Sequence, residues 1–306
     1  MKYLIVGTGG TGGAIGGYLA ADGKDVSFIA RGANRTAMKE KGLFIHSKRR
    51  GELHIRQPKV YTMEEWQGTA DVIFVCVKWY SIGEAAEFLK KAAGPESLVI
   101  PILNITDAGE QLSRELPERK ILDGVIYVSA FLSAPGEITE NGAVFTIVAG
   151  SWRPEPQAIY EKLAELKGEL EESRIQFEIS KDIRNDAFEK FSMVSPFAAA
   201  GTYLHIAAGD YEKNPAHMQL FRALVGEVRD VALAMGLSMR EDIVEKNVRL
   251  LNSCAPDSTA SMQKDYEAGH ASEVDGLVYQ VVRLGRAYSV PTPNYEKIAR
   301  ALGFRE

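Results

Sequence analysis

The chain has 306 residues, of which 45% are hydrophobic and 25% are charged, and its formal net charge at pH 7 is -5. This length and this apolar content are sufficient for two domains, each with a buried core. The acidic balance argues against a nucleic acid or an anionic membrane surface as the partner.

Cysteine, histidine and hydropathy patterns exclude further classes of protein. Cys76 and Cys254 lie far apart and fit no metal or redox spacing, which suits a cytoplasmic protein. The five histidines do not have the spacing of a zinc site, so the sequence predicts no metal. No apolar run approaches the ~18 residues that span a bilayer, so the sequence predicts no membrane segment.

The N-terminus has the pattern of a buried parallel strand, a glycine turn and a helix. After a short apolar segment, the sequence G-T-G-G-T-G runs from Gly7 to Gly12. Gly7 permits a tight turn, Gly9 lets the backbone approach a pyrophosphate, and Gly12 lets helix and strand pack closely. Together with Gly10 and Thr11, these glycines would hold phosphates at the helix N-terminus. The opening therefore predicts dinucleotide binding.

The second predicted strand, residues 25–30, bears on the choice of nucleotide. Where NAD-binding chains keep an acid for the ribose 2′-hydroxyl, this chain has Arg31. A guanidinium can bind a 2′-phosphate through two hydrogen bonds, whereas a carboxylate repels it, so the sequence favours NADP(H) over NAD(H). Two alternatives stay open: Arg31 as a solvated loop residue beside Gly32, and Arg35 as a second phosphate ligand.

Strands and helices continue to alternate through the first half of the chain. The apolar runs at residues 71–77 and 97–103 are typical of parallel strands that are covered on both faces. Lys78 and Asn104 follow them, and ligands of open α/β sheets bind at the carboxyl ends of the strands. We therefore expect both residues to lie beside the cofactor. The plainer alternative is that each one only begins a loop.

The remainder of the first domain combines short strands with one helix. The basic run at residues 48–50 is predicted to be a solvated hairpin tip. A charged helix over residues 154–170 and a strand over residues 176–179 would complete the domain at residue 181. An antiparallel extension is predicted from strands at residues 127–131, 136–139 and 144–149, with turns at residues 134–136 and 140–142.

The second domain, residues 182–306, is predicted to be entirely helical. Asn214 and Pro215 have the pattern of an N-cap and a first-turn proline, and Gly236 would end the same helix. The fold class is therefore α/β, with a doubly wound N-terminal sheet and an all-α C-terminal domain. The core-facing stripe of this long helix consists of Phe221, Leu224, Val225, Val228, Ala232 and Met235.

A lysine lies on the apolar face of a helix that follows the domain boundary. Helical spacing puts Lys190 on the same side as Ala187, Met193 and Val194. A partly desolvated ammonium loses proton affinity, as a proton donor at neutral pH requires. The alternative is a side chain that extends along the apolar surface to water, as most lysines on amphipathic helices do.

Two polar runs lie near the C-terminus, S-M-Q-K-D from Ser261 and S-E-V-D-G from Ser272. Ser261 and Glu273 offer a donor and acceptor set to a small hydroxy acid. The structural alternative accounts for the acids without any catalysis. In that case Ser272 caps the following helix, and Glu273 and Asp275 lie in its first turn, where the helix dipole favours them.

The whole set of motifs resembles the ketopantoate reductase (2-dehydropantoate 2-reductase) family. The resemblance implies a Rossmann-type domain joined to a helical domain like the C-terminal domain of 6-phosphogluconate dehydrogenase, with the active site in the cleft between them. It implies NADPH-dependent reduction of 2-dehydropantoate to (R)-pantoate, a step towards pantothenate and coenzyme A, and it leaves a homodimer open. The motifs that carry it are the glycine turn, Arg31, Val-Lys78, Leu-Asn104, Phe-x-Lys190 and the runs from Ser261 and Ser272.

The resemblance also implies a role for each of these residues. Lys190 would be the general acid that polarises and protonates the keto oxygen of the substrate. Glu273 would hold the hydroxyl side of the substrate and help to orient Lys190, and Ser261 would bind the substrate carboxylate. Lys78 and Asn104 would line the nicotinamide and substrate side of the cleft.

This chain departs from the family after the helix lysine. Well-characterised members have substrate-facing asparagines four and eight residues further on, whereas this chain has Val194 and Ala198, with Pro196 in the same turn. A reductase of a less polar 2-oxo acid therefore stays open as an alternative. A non-catalytic NADP(H)-binding sensor is a third hypothesis, and Lys190 and Glu273 argue against it.

Overall fold

The computed structural model describes residues 1–305, which divide into two compact units. Unit 1 consists of Met1–Leu103 and Asp107–Ile183, and unit 2 consists of Asn104–Thr106 and the chain from Arg184 onwards. The sequence had assigned residues 104–106 to the first domain. They group with the helical residues instead, where Lys190 donates a hydrogen bond to Asn104.

The strands all belong to unit 1. They are β1 (Lys2–Val6), β2 (Asp25–Ile29), β3 (Leu43–Ser47), β4 (Gly51–Ile55), β5 (Lys59–Tyr61), β6 (Ala70–Val75), β7 (Ala93–Pro101), β8 (Lys120–Ile121), β9 (Asp123–Ala134), β10 (Glu137–Gly150) and β11 (Gln176–Ile179). The helices of unit 1 are α1 (Gly10–Ala21), α2 (Gly32–Lys41), α3 (Ile82–Ala92), α4 (Ala108–Glu115) and α5 (Gln157–Glu172). Those of unit 2 are α6 (Ile183–Leu204, whose first residue still groups with unit 1), α7 (Asp210–Lys213), α8 (Pro215–Ala234), α9 (Ile243–Asn252), α10 (Ser261–Glu267), α11 (Gln280–Ala287) and α12 (Pro293–Ala301).

A parallel sheet forms the centre of unit 1, in the order β5-β2-β1-β6-β7-β8. Its strands are apolar and buried because helices cover a parallel sheet on its faces. Val6 lies opposite Ile29 on one side and Val75 on the other, so the carboxyl ends of β1, β2 and β6 meet at one edge. The strand order reverses at β1, which confirms the predicted doubly wound, Rossmann-type sheet.

A second sheet contains the antiparallel extension. β9 and β10 pair antiparallel, and Gly136, with φ of +79°, makes the predicted turn between them. The predicted turn at residues 140–142 was wrong, because residues 137–150 form one strand. The pairing with β9 changes register between Glu140 and Phe145, so an irregularity within the strand accommodates Asn141 and Gly142 without reversing the chain.

The basic run at residues 48–50 joins β3 to β4, which pair antiparallel and confirm the predicted hairpin. Lys48 is exposed at its tip, as predicted, but Arg49 and Arg50 are half-buried, which was not predicted. The Arg50 side chain is only 11% exposed and binds both carboxylate oxygens of Asp22, at 2.8 and 2.9 Å. Its guanidinium also lies 4.9 Å from the centre of the Tyr18 ring. Contacts with Tyr18 on α1 and with Asp22, the residue after α1, therefore bury Arg50, although its local sequence is typical of a surface turn.

Unit 2 is helical, as predicted, and has its own core. The Asn214 side chain accepts a hydrogen bond from the Ala216 N–H at 3.0 Å, and Pro215 is the first residue of α8. Most of the predicted stripe on α8 is buried, and Gly236 follows the helix with φ of +83°. Within residues 1–305, no helix has the length and apolar character needed to cross a membrane.

Candidate active site

The glycine loop connects β1 to α1 as the sequence predicted. Gly7 has φ of +95°, and a Cβ on it would lie 2.8 Å from the Cys76 carbonyl oxygen. A Cβ on Gly12 would lie 2.2 Å from the Gly7 carbonyl oxygen. Packing therefore requires both glycines. Gly9 is exposed, and among the described residues no atom lies within 4 Å of a Cβ placed there, so this side of the loop is open to a ligand.

Tertiary contacts hold the same loop in place. A Cβ on Gly10 would lie 2.4 Å from the Ala130 carbonyl oxygen, so β9 passes close to the start of α1, where Thr11 is half-buried. Asn34 on α2 donates to the Thr8 carbonyl at 2.6 Å and accepts from the Gly136 N–H at 2.8 Å. Asn34 was not among the predicted site residues, because its local sequence has no feature that distinguishes it from other polar residues on a helix surface.

Arg31 lies directly after β2, at the start of α2, and its side chain is 77% exposed. Its Nη1 lies 3.4 Å from a Glu84 carboxylate oxygen. An exposed ion pair of this length is weak, so the guanidinium stays available to a phosphate. Arg35, the possible second phosphate ligand, is paired with Glu65 at 2.5 Å. Lys78 is half-buried and directly precedes a short 3-10 turn after β6.

A lysine, an amide and a carboxylate come together in unit 2. Lys190 is half-buried on α6, and its Nζ donates a hydrogen bond to the Asn104 Oδ1 at 2.8 Å. Glu273 lies directly before the helical segment that begins at Val274 and is only 3% exposed, and its charge acts on Lys190. The sequence predicts each of these residues as part of the site on separate grounds. The fold brings Lys190 into contact with Asn104, which lies 86 positions earlier in the chain.

The surroundings of Lys190 tune its proton affinity. Burial lowers the pKa of the Lys190 ammonium to about 8, and the negative charge of Glu273 opposes that shift. An ammonium with a pKa near neutrality is a better proton donor than an ordinary lysine. Its hydrogen bond to Asn104 fixes the direction of one of its three N–H groups. The group is therefore suited to polarise and protonate a carbonyl oxygen.

Ser261, a further predicted substrate residue, is exposed at the first position of α10 in unit 2. The capping role considered for Ser272 was wrong. The helical segment that begins at Val274 has a π-type turn over Asp275–Tyr279 and continues into α11, and no side chain caps its start. Single π turns inside helices often occur at functional sites.

The two positions at which the family has asparagines differ in their surroundings. Val194 is half-buried, whereas Ala198 is fully buried and belongs to the hydrophobic core of unit 2. Pro196 lies between them, inside α6. Ala198 therefore serves packing. No cluster of three or more potential metal ligands occurs in the described part of the chain.

Comparison with protein-family models covers most of the chain. The model described as "Ketopantoate reductase PanE/ApbA" matches residues 3–154, and the model described as "Ketopantoate reductase PanE/ApbA C terminal" matches residues 182–306. The two matches correspond to the two halves of the molecule that carry the glycine loop and the lysine. The chain is thus similar to this family over both.

Individual proteins are similar over nearly their full length. An uncharacterized oxidoreductase of Bacillus subtilis (strain 168), YkpB, is 29% identical over 97% of this chain and 96% of that protein. The 2-dehydropantoate 2-reductase of Archaeoglobus fulgidus is 27% identical over 94% of this chain and 92% of that enzyme. A solved structure of D-mandelate dehydrogenase with NADH and anilino(oxo)acetate has the same fold, with a TM-score of 0.89 at 20% identity, and the match covers 98% of this chain and 96% of that one. From the two family models and the matching fold, the chain belongs to the ketopantoate reductase family of oxidoreductases.

Proposed function

We propose that this protein reduces 2-dehydropantoate to (R)-pantoate with NADPH, in the synthesis of pantothenate and coenzyme A. One observation carries the proposal: a half-buried lysine whose pKa is lowered to about 8, hydrogen-bonded to Asn104 beside the buried Glu273. A nucleotide sensor needs a nucleotide site but has no use for such a proton donor. The family membership and the named 2-dehydropantoate 2-reductase relative support the same reaction.

In this proposal the residues of unit 2 act on the keto group. The Lys190 ammonium donates a hydrogen bond to the keto oxygen and stabilises the negative charge that develops there. It then transfers a proton to that oxygen, which completes the hydroxyl group, and regains a proton from solvent. Asn104 keeps the ammonium in its orientation, and Glu273 favours its charged form. The reduced nicotinamide supplies the hydride that the keto carbon accepts.

The glycine loop of unit 1 fits a dinucleotide, because Gly9 leaves open space beside the N–H groups at the start of α1. The fold does not decide between the two nucleotides, since D-mandelate dehydrogenase with the same fold has a structure with NADH. Arg31 supports NADPH. It follows β2, where Rossmann-type folds keep the residue that contacts the ribose 2′ substituent, and its charge is exposed.

Replacing Arg31 with alanine tests this preference. We expect the KM for NADPH to rise by about 10- to 100-fold, because a charge-assisted hydrogen bond to phosphate is lost. The KM for NADH should not change, because NADH has no 2′-phosphate. Initial rates with each nucleotide measure both values, and Arg56→Ala, at another exposed arginine of unit 1, is the matched control. Equal effects on both nucleotides would contradict the assignment.

A less polar 2-oxo acid is the second candidate substrate. Val194 and Ala198 replace two substrate-facing asparagines of the family, and Ala198 is packed in the core. A site that lacks partners for buried substrate hydroxyl groups loses about 1–3 kcal/mol for each unpaired group. This chemistry favours a substrate with fewer hydroxyl groups than 2-dehydropantoate.

A panel of substrates separates these functions. Purified protein is mixed with NADPH and either 2-dehydropantoate or a simpler branched 2-oxo acid, and loss of the reduced nicotinamide absorbance gives kcat/KM for each. We expect the highest value for 2-dehydropantoate. A higher value for an acid without the hydroxyl group would assign the second candidate. Tight NADPH binding without turnover of any acid would indicate a sensor.

A further inference from the structure

The helix that carries Lys190 contains a proline, and its consequence for the backbone is specific. Pro196 has no N–H group, so it cannot donate to the carbonyl of Ser192, which lies four residues earlier in α6. A buried carbonyl without a donor is unfavourable. Ser192 is fully buried, so solvent does not replace the missing donor.

A side chain from another helix replaces that donor. Asn247 on α9 is 1% exposed, and its Nδ2 donates to the Ser192 carbonyl oxygen at 2.9 Å. The same Nδ2 lies 2.9 Å from the Ser192 Oγ, and this hydroxyl donates in turn to the Glu189 carbonyl at 2.7 Å. The preceding residue, Lys246, forms an ion pair with the Glu189 carboxylate. Two consecutive residues of α9 therefore hold α6 at Glu189, directly before Lys190, and at Ser192, two residues after it.

We propose that Asn247 is a positioning residue for Lys190: it supplies the hydrogen bond that Pro196 removes and thereby fixes the turn of α6 that carries the ammonium. The kinetic part of this inference rests on the proposed function of Lys190. The structural part, the coupling of Asn247 to Pro196, does not. Pro196 interrupts the backbone hydrogen bonds of this turn, and Asn247 is the compensating residue.

The proposal accounts for how a proline is tolerated close to a catalytic group. Without Asn247, the helix could satisfy the Ser192 carbonyl only by bending or by admitting water, and either change would displace Lys190 from Asn104. A displacement of about 1 Å at a reacting group can lower a rate by about 100-fold. The effect should appear in kcat, because nucleotide binding does not depend on α6.

A double-mutant cycle tests the proposal in the full chain. Asn247→Leu removes the donor and keeps a branched side chain, and it is made in the native chain and with Pro196→Ala, which restores a backbone N–H. We expect kcat to fall by about 10- to 100-fold in the native background and by less than about threefold with Pro196→Ala, at unchanged KM for NADPH. Asn252→Ala, at an exposed asparagine of the same helix, is the matched control and should leave kcat unchanged.

Urea unfolding of the same four proteins gives an independent readout. The loss in unfolding midpoint caused by Asn247→Leu should shrink when Pro196→Ala is present. Equal losses in both backgrounds, in kcat and in midpoint, would overturn the proposal and leave Asn247 as a packing residue. If the native chain reduces no oxo acid, the proposed function fails, whereas the unfolding cycle still tests the coupling. Should Asn247→Leu not fold, Asn247→Ser, which is too short to reach Ser192, completes the cycle.

Discussion

Replacing Lys190 with alanine is expected to lower kcat for reduction by about 10²- to 10⁴-fold, the usual contribution of a positioned proton donor. The affinity for NADPH should not change, because the nucleotide is assigned to the glycine loop and Arg31 of unit 1. Pre-steady-state and steady-state rates with the best substrate of the panel measure the first effect, and fluorescence titration with NADPH measures the second.

The pH dependence of the parent enzyme gives the same residue a second signature. Lys190 must carry its proton to donate it, and burial lowers its pKa to about 8. The kcat for reduction should therefore be constant below pH 8 and fall about tenfold per pH unit above it. An ordinary lysine would keep its proton to much higher pH, so a profile that stays flat beyond pH 10 would contradict the assignment.

Lys190→Arg is the matched control for charge. A guanidinium keeps the positive charge but does not give up its proton at these pH values. We expect this variant to be slow and to lose the fall in kcat above pH 8. Lys190→Ala should unfold at least as late as the parent in urea, because burial of the ammonium is unfavourable below its pKa. A sensor, by contrast, would bind NADPH normally and show no difference in turnover between any of these proteins.

Replacing Gly9 or Gly12 with alanine is expected to weaken nucleotide binding in both cases, but only the change at Gly12 should destabilise the fold. Gly12→Ala places a Cβ 2.2 Å from the Gly7 carbonyl oxygen, so α1 must move away from β1. Overpacking costs about 1–3 kcal/mol and occasionally more, and the backbone oxygen of Gly7 cannot move aside as a flexible side chain could, so the unfolding midpoint should fall strongly. Nucleotide binding should be lost with it, because the same turn presents the N–H groups of α1.

Gly9→Ala should instead leave the fold intact. Its φ of -86° is accessible to alanine, and no described atom lies within 4 Å of the new Cβ. The added methyl group would occupy the space that we assign to the pyrophosphate. NADPH affinity should therefore fall by at least about tenfold, the equivalent of one lost hydrogen bond to a charged group.

Thermal unfolding and NADPH titration of the two glycine variants provide the measurement. Gly23→Ala does not serve as a control, because Gly23 has φ of +76°, whereas Gly226→Ala, on α8 with open space around it, does. If Gly9→Ala binds NADPH as tightly as the parent, the phosphates do not lie against this side of the loop. If the G-T-G-G-T-G turn binds a dinucleotide, the phosphates would then have to contact another part of the turn.

Features that depend on neighbours in the chain could be predicted from the sequence. The glycine turn, the cap formed by Asn214 and Pro215, and the hairpin turn at Gly136 each rest on backbone preferences of a few consecutive residues. The apolar runs of the parallel sheet are equally local, because strands covered on both faces have no polar positions. Each of these predictions matches an element of the structure.

Features that depend on pairing between distant segments could not be predicted in this way. Whether residues 140–142 reverse the chain depends on whether β9 continues alongside them, and the burial of Arg50 depends on α1. The position of Asn104 beside Lys190 joins residues 86 positions apart.

The sequence by itself therefore determined the Rossmann-type and helical halves and the glycine loop, because local backbone geometry and apolar periodicity encode them. The resemblance to the family, and not periodicity, singled out Lys190 as the candidate proton donor. The tertiary structure alone decided what surrounds that donor. Burial lowers the pKa of Lys190, the charge of Glu273 opposes that shift, and Asn247 replaces the backbone donor that Pro196 lacks. Desolvation and hydrogen bonds between helices arise only when segments far apart in the chain are packed together.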